Sequence, residues 1–441
     1  MVQTNFTSEG IAAMNFYLIN GLVVDPSQNI LKKINLEVRN GKIFRIFQGK
    51  PDIKSVTEKI YDVNKYIVSP GFVDIHVHLR DPGLTHKESI KTGSMAAAAG
   101  GFTSIACMPN TSPPNDNPKI TKYILDKAKR DSKINIFPIG AITKKQKDKE
   151  LAKIIDNINA GCVGISDDGF PVSNSKLLYE AMLIAKSEKV PVISHCENCF
   201  LSGNGIMTEG QYSKKFKVPG ISNLSEELGI IHDLTIAEKT GCHLHICHVS
   251  TKGSVELIRQ AKRKGINVTC EVAPHHFTLC DRDVDIKNSN FKMNPPLRSK
   301  RDLDSIINGI SDGTIDIIAT DHAPHTDDEK SVGFKKAPFG IIGLETALPL
   351  SLNLVRKNKI DLVSLVNMLS TKPSKIINVK KGTLKKGSLA DITVFDPNMN
   401  FTIKKDAIVS KSSNSPFLNK RFKGKVLYTF AAGNEIYSLD K

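Results

Sequence analysis

Tryptophan is absent from the 441 residues, and aromatic residues of all kinds make up only 6%. No apolar run approaches the ~18 residues of a membrane-spanning helix, so no membrane protein of that kind is expected. The opening residues, Met1 to Thr7, have neither a basic nor an apolar segment of the secretory type, so no signal peptide is expected. Acidic residues are in deficit, 45 against 61 basic ones, giving a net charge of +16. Such an excess raises nucleic acid as a partner. The lysines, however, fall in scattered clusters such as 144–147 and 214–217. No basic stripe is interleaved with aromatics, and no helix-turn-helix or zinc-finger spacing appears. The expectation is a solvated lysine-rich surface, with no nucleic-acid partner, whose field draws in anionic metabolites.

No G-x-G-x-x-G follows the first barrel-like strand pattern, which argues against an open dinucleotide-binding sheet. The eight cysteines could in principle pair as four disulfides. Cys107, Cys162, Cys247 and Cys270 lie inside apolar strand-like runs and read as reduced thiols filling a core, the usage of a cytoplasmic protein. Cys196 and Cys199 form a C-x-x-C without a second pair at zinc-ribbon spacing, and are assigned no function.

What is present is an alternation. Residues 16–68 read as short strands, with Asn-Gly hairpin signals at 20–21 and 40–41. A similar texture returns at 390–395 and 425–430. Between them, short apolar strand patterns at 71–79, 102–108, 134–142, 161–166, 190–195, 243–249, 267–273 and 315–320 are separated by helical stretches such as 176–188 and 254–264. This is the βα pattern of an α/β (β/α)₈ TIM barrel. The expected layout is an unstructured extension over 1–15, a barrel over 69–377, and a small β-sandwich assembled from 16–68 and 378–441.

The polar residues are concentrated where barrel enzymes keep their chemistry, at the C-terminal strand ends. The first strand pattern ends in His76, His78 and Arg80, the second in Asn110, the fourth in Asp167 and Asp168. The fifth ends in His195, the sixth in His248, and the eighth in Asp321, His322 and His325. His76 and His78, two apart, project from one face of a strand, as two imidazole ligands of a zinc ion would. Strand parity places Asp321 inward with Ile317 and Ala319 and turns His322 away. It places His248 inward with Leu244 and Ile246, leaving His243 and His245 toward the helices. Parity leaves open which of Asp167 and Asp168 faces the site.

The segment 69–83, SPGFVDIHVHLRDPG, resembles the metal-binding opening of the amidohydrolase superfamily, and of dihydroorotases in particular. MPNT at 108–111, SDDG at 166–169, KMNPPLR at 292–298, TDHAPH at 320–325, PFG at 338–340 and GSLADI at 387–392 fit the same pattern. H-x-H alone marks only the superfamily, whereas the set together is specific, and it spans 16–441. The resemblance implies reversible, zinc-dependent hydrolysis of L-dihydroorotate to N-carbamoyl-L-aspartate in pyrimidine biosynthesis. It implies one zinc on His76, His78, Asp168 and Asp321 and a second on Asp168, His195 and His248. Asp168 stands where many relatives carry a carboxylated lysine. That departure makes a single zinc the alternative to the expected two. By the same analogy Asp321 shuttles the proton, and Arg80, Asn110 and His325 clamp the substrate carboxylate. His78 adjoins the substrate, and Asn294 with the backbone of Phe339 and Gly340 binds the ring amide edges. A homodimer and an association with aspartate transcarbamoylase are the protein partners the resemblance raises. Two rival readings are an allantoinase- or hydantoinase-like enzyme, and a non-catalytic scaffold for the transcarbamoylase, which would lack metal ligands present here.

Overall fold

The computed structural model describes residues 14–51 and 59–440. The extension expected over 1–15 therefore lies, as far as residue 13, outside the described residues. Parallel pairing runs around the barrel in chain order. The first strand, Phe72–Val77, pairs with the second, Phe102–Cys107, and the second with the third, Asn135–Pro138. At the fourth position the sheet narrows to single bridges, from Gly140 to Ile165 and from Ile165 to Val192. The fifth strand (Val192–Ser194), sixth (Leu244–Ile246), seventh (Val268–Val272) and eighth (Ile317–Ile318) then pair in order. A bridge from His322 back to Val77 closes the circuit.

The strand expected over 161–166 is thus only one bridged residue. Gly161 leaves the helix Ile154–Ala160 at φ +123°, and Gly164 packs so closely that a Cβ would stand 3.1 Å from Ile193. The chain reaches the sheet late and leaves it at Ser166.

The helices form outside for sequence-local reasons. Lys252–Arg263 starts at Thr251, whose hydroxyl accepts from the Ser254 amide, and buries Val255, Ile258 and Ala261 at helical spacing. Fully burying each of the two larger side chains stabilises by about 1.5–3 kcal/mol. Ser175–Glu188 is capped likewise by Asn174. Inside, Val73, Ile75, Ala106, Met108, Phe137, Ile139, Ile193, Ile317 and Ala319 make a separate apolar plug. This packed floor leaves the strand ends above it to polar residues.

Both chain ends build the β-sandwich. One sheet orders Lys42–Phe47, Asn35–Arg39, Phe16–Ile19 and Lys59–Asp62. The other orders Asn434–Ser438, Arg421–Ala431, Ile392–Thr402, Ile67–Pro70, Leu22–Asp25 and Ile30–Lys33. Their shared core includes Phe16, Leu36, Val68, Ile392 and Phe430, with the rings of Phe16 and Phe430 stacked at 4.7 Å. Asn40-Gly41 is the two-residue hairpin its sequence suggests, with φ of +48° and +72° between Arg39 and its partner Lys42. Asn20-Gly21 is not a hairpin. It carries the chain from one sheet to the other, and a Cβ on Gly21 would stand 2.7 Å from Val68. All eight cysteines are free thiols, and only Cys199 is exposed. Among the described residues no helix is long and apolar enough to cross a membrane.

Candidate active site

Four imidazoles and two carboxylates converge above the apolar plug. His76 Nε2 lies 3.4 Å from Asp168 Oδ1 and 3.6 Å from Asp321 Oδ1. His78 Nε2 lies 3.5 Å from Asp168 Oδ2 and 3.1 Å from Asp321 Oδ1. On the other side of Asp168, Oδ1 stands 3.6 Å from His195 Nδ1 and 3.7 Å from His248 Nε2, which are 3.0 Å from each other. The six residues, all buried, come from five strand ends.

The alternative that parity left open is settled by this geometry. Asp167 turns away, its carboxylate accepting from the amides of Ile142 and Thr143 and from the Thr143 hydroxyl. Asp168 takes the inward place. His322 is turned from the cluster, its Nδ1 accepting from the Gly343 amide and its Nε2 lying 3.5 Å from Glu88. The sixth strand needs a correction. Leu244 and Ile246 pack outward with the helices, whereas Cys247 joins the apolar plug and His245 faces the barrel interior. His248 still reaches the cluster because the strand stops at Ile246 and the backbone swings to φ +29° at His248. Alternation does not survive such a break.

The cluster wants positive charge. His76 Nε2 and Asp168 Oδ1 are buried without a hydrogen-bond partner, which is costly for such groups. Burial disfavours the His76 cation, yet Glu271 and Asp168 outweigh it and raise the ring well above its usual range. His195 is raised to about 10 against burial, through Asp168 and Glu197. Burial opposes the Asp168 charge in turn, and the imidazoles of His76, His195 and His248 hold its carboxyl well below the usual range. Ligands at about 2.0–2.1 Å from a tetrahedral metal stand about 3.3 Å apart. Nitrogen and oxygen donors at 3.0–3.7 Å fit a bound divalent cation better than they fit one another.

Sequence reasoning missed the groups that orient these donors. Glu271, on the seventh strand, holds His76 Nδ1 at 2.5 Å and His245 Nε2 at 3.0 Å. A carboxylate only accepts, so it keeps the His76 proton on Nδ1 and turns Nε2 toward the cluster. Glu197 does the same for His195 through Nε2 at 3.0 Å. Asp74 accepts from the amides of His76 and Thr320, tying the first strand to the eighth. Glu197 and Asp74 stand two residues from His195 and His76, a signal that H-x-H and the Asp-Asp pair overshadowed, whereas Glu271 lies within the seventh strand, away from any such motif.

The residues expected at the substrate stand around the cluster. Asn110 Oδ1 meets His78 Nδ1 at 2.8 Å, so Asn110 also orients a histidine. Arg80, at φ +58°, donates Nε to the Pro324 carbonyl at 3.3 Å, and its Nη2 lies 3.4 Å from His325 Nε2. Burial and the repulsion of Arg80 and Lys87 pull His325 down to about 3, which makes it a neutral ring at neutral pH. Asn294 Nδ2 donates to Glu197 at 3.1 Å. Gly340 sits at φ +123°, where a Cβ would stand 2.7 Å from Ala323 Cβ, so the turn packs tightly beside the His325 loop. Lys292 Nζ lies 4.7 Å over the Phe339 ring.

A parallel barrel whose strand ends gather imidazoles and carboxylates, joined to a β-sandwich, is the architecture of the cyclic-amide hydrolases. L-Hydantoinase (dihydropyrimidinase) from Arthrobacter aurescens superposes with a TM-score of 0.85 over 96% of each chain, at 26% identity. The dihydropyrimidinase of Brevibacillus agri shares the fold, with a TM-score of 0.82 over 96% of this chain and 95% of its own, at 23% identity. The chain is an enzyme of this class. Residues 65–254 match the family model "Dihydro-orotase-like". The dihydroorotase of Geotalea daltonii is 47% identical over 97% of this chain and 100% of its own length, and that of Geobacter sulfurreducens 48% over 96% and 100%. The chain belongs to the dihydroorotase family.

Proposed function

We propose that the protein interconverts L-dihydroorotate and N-carbamoyl-L-aspartate in pyrimidine synthesis, on a centre of two zinc ions. His76, His78, Asp168 and Asp321 would hold one and Asp168, His195 and His248 the other. The observation that carries the reading is the Asp168 carboxylate, buried among four imidazoles with one oxygen unpartnered. Zinc supplies Lewis acidity in such a set, bringing the pKa of water down from 15.7 to about 7 and polarising an amide carbonyl.

The protein's own groups do the rest. Burial works against the Asp321 charge, but His78 and His76 hold its carboxyl at about 2, so at neutral pH it is ionised and able to accept a proton. In ring opening Asp321 takes the proton from the attacking water and returns it to the departing ring nitrogen. Ring closure runs the same transfers backward. Arg80, whose hydrogen bonds go to a carbonyl and a neutral imidazole rather than to a carboxylate, offers its fork to the substrate carboxylate, assisted by His325 and Asn110. Asn294 and the backbone at Phe339 and Gly340 take the ring amide edges.

Zinc stoichiometry measured alongside ring opening of dihydroorotate tests the reading, with hydantoin and allantoin as comparison substrates. Two zincs per chain and turnover of dihydroorotate alone are expected; a metal-free active protein, or preference for either comparison ring, would overturn it. Arg80→Met is expected to raise KM for dihydroorotate by one to two orders of magnitude, roughly the 1.5–3 kcal/mol of a charged hydrogen bond. An unchanged KM would remove Arg80 from the carboxylate clamp.

A further inference from the structure

Two buried polar side chains outside the metal cluster converge on one backbone oxygen. Lys330 lies on the short helix Asp327–Ser331 and is only 5% exposed. Its Nζ donates to the carbonyls of Lys292 (3.2 Å), Pro338 (2.9 Å) and Gly340 (2.9 Å). Asn414, in the C-terminal segment between the strands Ile392–Thr402 and Arg421–Ala431, is 1% exposed. Its Nδ2 donates to the carbonyls of Gly340 and Ala323, both at 3.1 Å, and its Oδ1 accepts from the His325 amide at 3.1 Å. Its own carbonyl accepts from the Ile342 amide at 3.0 Å.

We propose that Lys330 and Asn414 are positioning residues for substrate binding, a two-sided clamp that meets on the Gly340 carbonyl. The clamp sets the spacing of the loops carrying Asn294, His325, Phe339 and Gly340. The inference rests on the assignment of those loops to the substrate.

Three features support it. An ammonium has three donors, and here three carbonyls meet them, so burial of the charge is matched donor by donor. All three acceptors are backbone, so what Lys330 fixes is the path of two chain segments, 292–294 and 338–340. Gly340 in turn donates its amide to the Lys292 carbonyl at 3.0 Å, closing a ring between those segments. Asn414 adds the third segment, 323–325, from the opposite side. The short helix is itself anchored: Thr326 caps it, Asp327 pairs with Lys405, and Glu329 pairs with Lys87 at 2.8 Å. The polar stretch 326–336 is thus tied down at its first turn.

Neither residue touches the metal cluster, so the clamp is separable from metal binding. Lys330→Met removes all three donations. Asn414→Asp is isosteric, keeps the acceptor for His325 and loses both Nδ2 donations. In the metal-loaded protein each is expected to raise KM for dihydroorotate by about tenfold or more. The kcat effect should be smaller, with zinc content equal to wild type. Amide hydrogen exchange should quicken at 323–325 and 338–342 and stay unchanged in the barrel strands. A folded, metal-loaded variant with unaltered KM, or exchange that quickens uniformly across the chain, would overturn the clamp. Should Lys330→Met fail to fold, Asn414→Asp alone decides on the same readouts. Wild-type protein that ignores dihydroorotate while loop exchange still responds would sink the substrate assignment instead.

Discussion

Asp321→Asn is expected to lower kcat for dihydroorotate by about 10²–10⁴-fold, the range of a positioned general acid–base group. The change keeps the size of the side chain and the hydrogen bond that an amide oxygen can accept, so the fold should persist. What it removes is a carboxylate placed both to accept a proton and to lean on His78, at 3.1 Å. Circular dichroism and zinc content taken with the kinetics separate the outcomes. Near-normal kcat in a folded, zinc-loaded protein would exclude Asp321 from proton transfer. Loss of zinc together with activity would show that its contribution to the cluster comes first.

The second large effect concerns a residue that never meets substrate. Glu271→Leu is expected to weaken metal affinity by about 100-fold, and Glu271→Gln by about tenfold, the span seen when an outer partner of a ligating histidine is lost. The ranking follows from tautomers. Glutamine can still accept from His76 Nδ1 while its amide group faces His245 Nε2, because His245 can donate instead through Nδ1 to the Thr269 hydroxyl at 2.8 Å. Only the charge is lost. Leucine leaves His76 Nδ1 and His245 Nε2 unpaired, and His76 is then free to carry its proton on Nε2, where it blocks ligation. Competition with a chelating dye measures the affinities. Equal affinity for all three proteins would mean that Glu271 serves packing alone.

Much of this cluster was legible in the chain because imidazoles and carboxylates at strand ends leave a positional trace. His76, His78, Asp168, His195, His248 and Asp321 all stand one to three residues around the close of an apolar run, and Asp321 reaches the cluster as parity expected, although the strand ends at Ile318 and the backbone stands at φ +49° at Asp321. Parity failed at the sixth strand, since it assumes that a strand continues, whereas the backbone swings over at His248. It was silent on Glu271, which meets His76 from another segment, on Asp74, which binds backbone amides, and on Glu197, which meets His195 beyond the end of the strand at Ser194, where alternation no longer applies. The Asn-Gly pairs teach the same point. Asn40-Gly41 joins neighbours in one sheet with both residues at positive φ, while at Asn20-Gly21 only Asn20 is so, at φ +67°, and the chain crosses between sheets with Gly21 packed against Val63 and Val68.

The β-sandwich carries a consequence for synthesis. The strand Ile67–Pro70 pairs along one side with Leu22–Asp25, available at once, and along the other with Ile392–Thr402, which leaves the ribosome some three hundred residues later. Until then Val68 and its neighbours present an open edge and an uncovered apolar face, the kind of surface that nascent chains join by mistake. The barrel must be translated while this half-built sheet waits, so translation speed and chaperone supply bear on the yield of native protein through a seam outside the histidine-aspartate cluster.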